Sequence, residues 1–177
     1  MRSGFVVPLV VLLALATAAA APAAAGAPDP DPCPLISRAE IDALQRAPVL
    51  SATSSVPDRP AFSVSQCFYT VVPFSKSVSL EVTRREPGTP AAAGPRAQWK
   101  RWFHSEAKVV EAGEEEDPPL PVPGVGDEAF WMGNAVTGAL YVLQGDVSIR
   151  IGIGGDDDVP VKIDKATRLA RKALARL

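Results

Sequence analysis

Few residues in this chain have the types and spacing needed for catalysis. Its single histidine, His104, stands beside Trp102 and Phe103 with no Asp, Cys or Ser motif nearby. Many hydrolases carry motifs such as G-x-S-x-G or H-E-x-x-H, in which a base or a metal activates the attacking group. The sequence contains neither motif. We therefore interpret His104 as a surface histidine and predict no catalytic residue, no metal site and no cofactor.

Two kinds of loop resemble ligand-binding loops, but neither has the required layout. The glycine-rich residues 152–155 follow a predicted strand and precede a predicted helix, where phosphate-binding loops lie. Their spacing is not G-x-G-x-x-G, and the carboxylates of residues 156–158 would repel a phosphate. The acidic runs at residues 114–117 and 156–158 lack the alternating pattern of a calcium loop. We expect ordinary solvated connections at both places.

Two other groups of side chains are candidates for contacting a partner. Asp127, Glu128 and Trp131 surround a predicted turn and strand, where Trp131 could line a groove. Four basic residues of the last predicted helix form a stripe, because they are three or four positions apart: Lys165, Arg168, Lys172 and Arg176. Such a stripe can contact an anionic surface. It can also complement the helix C-terminus and keep a packed helix soluble, which is the interpretation we favour.

The first 25 residues predict export. Arg2 precedes an apolar run, and an alanine tract leads to Gly26, which together make the three parts of a secretory signal peptide. We expect cleavage between Ala25 and Gly26. The uninterrupted apolar residues 9–21 are fewer than the roughly 20 that a membrane span needs, so a retained anchor is the less favoured alternative. No cysteine directly follows the apolar run, so we expect a secreted protein (extracellular or periplasmic) without a stable membrane anchor.

Processing would leave a chain long enough for one core but short for two domains. Loss of Arg2 lowers the number of basic residues from 18 to 17, against 20 acidic residues. This balance argues against nucleic acid as a partner, because nucleic-acid-binding proteins carry a basic excess. Cys33 and Cys67 allow one intramolecular pairing, and a disulfide is the expected state in an oxidising compartment. Two buried free thiols are the alternative.

The elements that must position these residues begin with a linker and a short helix. Residues 26–34 are rich in proline, which removes backbone donors, and predict a linker. Ser37 and Glu40 form a capping box at the start of a helix that stops at Pro48. Residues 49–61 are predicted as a loop.

Alternating and helical patterns predict the remaining elements. These are strands at residues 63–72, 77–84, 127–132, 138–143 and 147–153, and helices at residues 96–112 and 161–177. The first two strands and the last two form hairpins. Trp99 and Trp102 fall on the apolar face of the middle helix and are predicted to be core residues. The expected fold is a single α+β domain over residues 35–177, in the order αββαβββα, with about five antiparallel strands and three packed helices.

Several short segments of the chain match a known arrangement. They are Asp-Pro-Cys-Pro-Leu-Ile-Ser-Arg-Ala-Glu-Ile at residues 31–41, Gln-Cys-Phe-Tyr at residues 66–69, Val-Gly-Asp-Glu-Ala-Phe at residues 125–130, and a hairpin with a final Ala/Leu/Arg helix. Across most of residues 31–177 the chain resembles a broad group of small exported bacterial proteins and lipoproteins catalogued as domains of unknown function. The resemblance implies a Cys33–Cys67 disulfide and helices packed on an antiparallel sheet. It implies no catalytic residues, and this chain lacks the lipidation cysteine of the lipoprotein members.

These observations favour a secreted, non-enzymatic binding or cell-envelope-associated module. Its partner is another envelope or extracellular protein or a ligand that the sequence does not identify. One alternative is an enzyme or enzyme inhibitor with an unfamiliar site near Asp127, Glu128 and Trp131. The other is association with an anionic surface through the C-terminal basic helix.

The predicted processing gives a direct test. When the full chain is expressed in a secreting host, we expect the exported protein to begin at Gly26, because the alanine tract ends there. N-terminal sequencing should therefore read Gly-Ala-Pro-Asp. An N-terminus at Met1 in membrane-bound protein would contradict cleavage and support a retained anchor.

Overall fold

The computed structural model describes residues 31–56, 62–105 and 118–177. The predicted signal peptide, its cleavage site and the acidic run at residues 114–117 lie outside the described residues. The helices are α1 (Arg38–Gln45), α2 (Pro95–Phe103) and α3 (Val159–Leu174). Together with one antiparallel sheet, these three helices confirm the predicted α+β class.

The sheet has more strands than the sequence predicted. Its strands are β1 (Val49–Ser55), β2 (Phe62–Val71), β3 (Val78–Arg85), β4 (Leu120–Pro121), β5 (Glu128–Gly133), β6 (Gly138–Gln144) and β7 (Val147–Ile153). They lie in the order β1-β2-β3-β7-β6-β5-β4 and number seven instead of about five. Both predicted hairpins are present, as β2–β3 and β6–β7.

The two additional strands lie at the edges of the sheet and correct the predicted element order. β1 occupies a segment that was predicted as a loop. Its residues are mostly small and polar, and a register shift at Leu50 breaks the alternation that would mark a strand. β4 has only two residues, which is too short for any periodic signal. The observed order is therefore αβββαββββα rather than αββαβββα.

The two hairpins join through β3 and β7, whose pairing places apolar side chains on one common face. Val78, Leu80 and Val82 of β3 stand opposite isoleucines of β7. This face is buried beneath α1 and α3, and the core includes Ile149, Ile151, Ile153, Ala166, Leu169, Ala170 and Ala173. Alternate residues of β7 and the inward side of α3 are thus core.

The helix ends follow from local chemistry. Ser37 accepts a hydrogen bond from the Glu40 amide and Glu40 accepts one from the Ser37 amide, which confirms the capping box. α3 begins at Val159, two residues before the prediction, because Pro160 is tolerated in the first helical turn. α2 ends at Phe103 instead of residue 112, since His104 leaves the helical conformation (φ −127°, ψ 4°). Residues 106–112 lie outside the described residues.

A disulfide ties the N-terminal segment to the sheet. Cys33 and Cys67 are bonded, with their Cα atoms 5.1 Å apart. The hydroxyl of the buried Tyr69 donates to the carbonyl oxygens of Cys33 (2.9 Å) and Ile36 (3.1 Å). The segment entering α1 is therefore held on β2 by one covalent bond and one side chain.

Removal of the disulfide should lower stability substantially. For a loop with a sequence separation of 34 residues, the chain-entropy model gives a loss of about 3.5–4 kcal/mol in the free energy of unfolding. We expect the double substitution Cys33→Ser and Cys67→Ser to lower the denaturant midpoint, measured by circular dichroism, as much as reductant lowers it for the native protein. The double variant itself should not respond to reductant. An unchanged midpoint in the variant would contradict this role.

Candidate functional site

The face of the sheet opposite the core carries a row of polar and aromatic side chains. The strand register places Gln66 of β2 opposite Glu81 of β3, Glu81 opposite Arg150 of β7, and Arg150 opposite Tyr141 of β6. All four side chains are half-buried. We call these four residues the polar row.

Hydrogen bonds within the polar row fix the orientation of its side chains. The Gln66 amide donates to a carboxylate oxygen of Glu81 at 2.6 Å. Nε of Arg150 donates to the Tyr141 hydroxyl at 3.1 Å, and the guanidinium lies 5.6 Å from the centre of the Tyr141 ring. The row therefore presents ordered planar groups instead of freely rotating side chains.

α2 covers one end of this face and turns the rest into a cleft. Phe103 stacks on Phe130 with ring centres 4.6 Å apart, and Trp99 packs against both rings. A cleft of about 390 Å³ lies between α2 and the polar row. Its walls and floor include Phe62, Thr83, Gln98, Trp99, Trp102, Tyr141, Ser148 and Arg150. We call it the α2 cleft; its volume is within the range of about 300–1,000 Å³ typical of small-ligand sites.

The two tryptophans of α2 have different environments. Trp99 is 3% exposed, as predicted for a core residue. Trp102 is 59% exposed and lines the α2 cleft, so its predicted core position is wrong. The helix packs on the sheet through Trp99 and Phe103, which leaves the Trp102 indole beside the contact rather than within it.

Glu128, proposed from the sequence as part of a site, anchors α2. Its carboxylate accepts hydrogen bonds from the Trp99 indole at 2.5 Å and pairs with His104 Nε2 at 2.9 Å. Burial opposes ionisation of Glu128, but the bonds from His104 and Trp99 outweigh it and hold its pKa below the ordinary value. His104 is exposed, as predicted, and joins this anchor at the end of the helix.

Asp127 organises the turn beside Glu128. It accepts hydrogen bonds from the Gly145 amide at 2.9 Å and from the Arg96 guanidinium at 2.5 Å. These bonds, with the backbone amide first, hold the pKa of Asp127 below its ordinary value. Gly126 has φ +62°, and a Cβ there would collide with the Leu143 carbonyl. The Gly-Asp-Glu-Ala motif thus links the β6–β7 turn to α2.

Trp131 lies in the core and lines no groove. Its side chain is 0% exposed, on the face of the sheet that α3 covers. Trp131 alternates with Glu128 and Phe130 along β5, so it points away from the α2 cleft. The three residues suggested as one site by their closeness in sequence are therefore divided between two faces of the sheet.

All four cations of the predicted basic stripe have acidic partners within the chain. Lys165 pairs with Asp157 and Arg168 with Asp164. Lys172 and Arg176 both pair with Glu40, and Arg176 makes two bonds to it at 2.7 and 2.8 Å. The pairs of Lys172 and Arg176 with Glu40 link α3 to α1, a role that the sequence interpretation did not include.

A second cleft, between α1 and α3, serves packing. The buried Gln45 amide donates to the carbonyl oxygens of Lys76 and Gly154 and accepts from Lys165. Lys165 in turn bonds Asp157 at 2.6 Å, which lowers the pKa of that carboxyl. A Cβ at Gly154 would collide with the Ser75 carbonyl, so close packing accounts for this glycine in the predicted loop.

In the described ranges, no group of three or more His, Cys, Asp or Glu side chains is placed to hold a metal ion. No helix in this part of the chain is both long and apolar enough to cross a membrane. Comparisons with protein-family models, curated proteins and solved structures found no match.

No local pattern in the sequence identified the polar row. Arg150 and Ser148 lie on the polar side of the alternating residues 147–153, but nothing in the sequence marks Glu81 or Gln66 as their neighbours. The available signal was a charged residue in the middle of each of two segments that alternate between polar and apolar residues. These residues are Glu81 in segment 77–84 and Arg150 in segment 147–153. The pairing of β3 with β7, which are more than 60 residues apart, decided which side chains meet.

The Glu40 ion pairs should contribute measurably to stability. Glu40→Gln removes the partner of Lys172 and Arg176, and we expect it to lower the free energy of unfolding by about 1–2 kcal/mol near pH 7. The matched control is Asp164→Asn, which breaks an exposed pair on the same helix and should cost less than about 0.5 kcal/mol. Equal effects of the two substitutions, measured by denaturant unfolding, would contradict the special role of Glu40.

The same variant gives a pH test with a defined sign. Bonding to Arg176 lowers the pKa of Glu40 far below its ordinary value. Its contribution is therefore complete above the unfolded pKa of about 4.3 and is lost as the pH falls below it. We expect the difference in unfolding free energy between the native chain and Glu40→Gln to shrink from about pH 5 to about pH 2. A difference that stays constant over this range would overturn the assignment.

Proposed function

We propose that this protein is an exported binding module without catalytic activity, and that its ligand occupies the α2 cleft. The observation that supports this proposal most strongly is the composition of the cleft. Oriented, half-buried polar groups of the polar row lie beneath the exposed indole of Trp102. Small-ligand sites place oriented polar groups beside aromatic surface, and the α2 cleft has both. The predicted export signal and the Cys33–Cys67 disulfide agree with a role outside the cytoplasm.

The geometry favours binding over the enzymatic alternative. A general acid needs a carboxyl whose pKa is raised towards the working pH. Asp127 and Glu128 have lowered pKa values, and both carboxylates are engaged in holding α2 and the β6–β7 turn. Their contacts therefore support a positioning role for both residues.

The contacts of α3 give less support to association with an anionic surface. Lys165, Arg168, Lys172 and Arg176 would each have to exchange an intramolecular carboxylate for a lipid or polymer anion. Such an exchange gains little, because one ion pair replaces another. No comparable rearrangement is required for a ligand in the α2 cleft.

Binding at the cleft should depend on Trp102. We expect Trp102→Ala to abolish the saturation-transfer NMR signals of fragments that bind the exported protein, screened from a library of saccharides, short peptides, acyl chains and small anions. The matched control is Phe74→Ala, which removes an aromatic ring that is 68% exposed and lies outside the cleft. Both variants should keep their free energy of unfolding within about 1 kcal/mol, because exposed side chains contribute little to packing.

The outcomes of this screen are distinct. Fragments whose signals disappear with Trp102→Ala and persist with Phe74→Ala support the proposal. Absence of any bound fragment, or binding that is indifferent to Trp102, would contradict it.

A further inference from the structure

We infer that the ligand of the α2 cleft is a neutral saccharide. This inference rests on the proposed function, since it assigns a ligand class to the same site. Pyranose rings have a face of C–H groups and a rim of hydroxyls that both donate and accept hydrogen bonds. A protein site for them needs a flat apolar surface next to fixed polar groups of both kinds. The α2 cleft has both features.

Trp102 supplies the flat surface. Its indole is 59% exposed on the last turn of α2, and it borders the cleft. The other two tryptophans are not available for stacking, because Trp131 is fully buried and Trp99 packs against Phe103 and Phe130. An exposed indole has the electron-rich face that attracts the partly positive C–H groups of a sugar.

The rest of the cleft lining, on the sheet and on α2 itself, supplies hydrogen-bonding groups of both kinds. Thr83 and Ser148 have hydroxyls, Gln98 has an amide, and each of these groups can donate and accept. The Glu81 carboxylate and the Arg150 guanidinium also line the cleft, as acceptor and donor groups that Gln66 and Tyr141 hold in place. This set matches hydroxyls, which act as donor and acceptor at once.

The charges of the cleft favour a neutral ligand over an anion. Arg150 and Glu81 are opposite each other in the strand register, so the positive charge has a negative neighbour. Nε of Arg150 is also held by the Tyr141 hydroxyl. A phosphate or carboxylate bound at Arg150 would therefore approach Glu81 as well, at an electrostatic cost.

Two other ligand classes fit the architecture less well. An extended peptide that adds a strand needs an open sheet edge. The floor strands β3 and β7 are central and have neighbours on both sides. An acyl chain needs an apolar floor, whereas the polar row would lose hydrogen bonds to water without replacement beneath it.

The test follows the Trp102 indole N–H signal by two-dimensional NMR of the exported protein. The chain has three tryptophans, and the Trp102 signal is identified as the one missing in Trp102→Phe. The probes are neutral oligomers of glucose, N-acetylglucosamine, mannose and xylose, with oligogalacturonate, a fatty acid and a tetrapeptide as representatives of the other classes. We expect at least one neutral oligomer to shift the signal saturably, with an affinity that is unchanged between about 0.05 and 0.5 M salt.

Variants of Trp102 separate ring stacking from general apolar contact. Trp102→Phe keeps a flat ring and should weaken binding of the neutral oligomer by less than about tenfold. Trp102→Leu keeps apolar area without a ring and should weaken it by more than about tenfold. Affinities of these variants are measured by calorimetry. Phe74→Ala should bind like the native protein.

Each result has a defined meaning. A saturable shift with a neutral oligomer, together with a calorimetric affinity that falls more than about tenfold in Trp102→Leu, supports the inference. A shift caused only by oligogalacturonate, fatty acid or peptide overturns the saccharide assignment and leaves the cleft as a binding site. If no probe here shifts the signal, and no fragment in the Trp102-dependent screen binds, the proposed function itself fails.

Discussion

The pairing of β3 with β7 is the contact on which the rest of this structure depends. It joins a hairpin from the first half of the chain to a hairpin from the second half, and its register decides which side chains share a face. In the observed register, Leu80 and Ile151 face the helices while Glu81 and Arg150 face the α2 cleft. A shift of one residue would turn the isoleucines of β7 towards solvent and bury Arg150. The burial of the apolar face therefore also fixes the polar row, because neighbouring residues of a strand cannot move independently.

The two faces of the sheet are closed by different kinds of contact. On the buried face, the Cys33–Cys67 disulfide and the hydroxyl of Tyr69 hold the chain entering α1, and Glu40 links α1 to the end of α3. These contacts join the N-terminal segment to β2 and α1 to the end of α3. On the other face, α2 is a nine-residue helix that rests on a few aromatic rings and the Glu128 carboxylate. It covers only part of the sheet, and the uncovered part forms the floor of the cleft.

Local chemistry made much of the fold predictable, whereas contacts between distant segments did not. The capping box at Ser37 and both hairpins depend on residues close in sequence, and the structure confirms them. β1 escaped prediction because an edge strand needs no strong apolar pattern, and its bulge at Leu50 removed the rest of the signal. The site was harder still to predict. Glu128 was recognised as a residue of interest, but its role depends on contacts with a helix about 25 residues away in sequence.

The outcome at Asp127 and Glu128 shows why a carboxylate pair in sequence is weak evidence for catalysis. Asp127 precedes β5 and Glu128 begins it, and successive side chains of an extended chain point to opposite sides. Here one carboxylate holds the β6–β7 turn and the other holds the end of α2. Both tasks favour the ionised form, which is why both pKa values are lowered. The same contacts place Trp99 in the core and leave Trp102 at the rim of the cleft. The ionised carboxylate of Glu128 thus holds the wall of the α2 cleft in place through the end of α2.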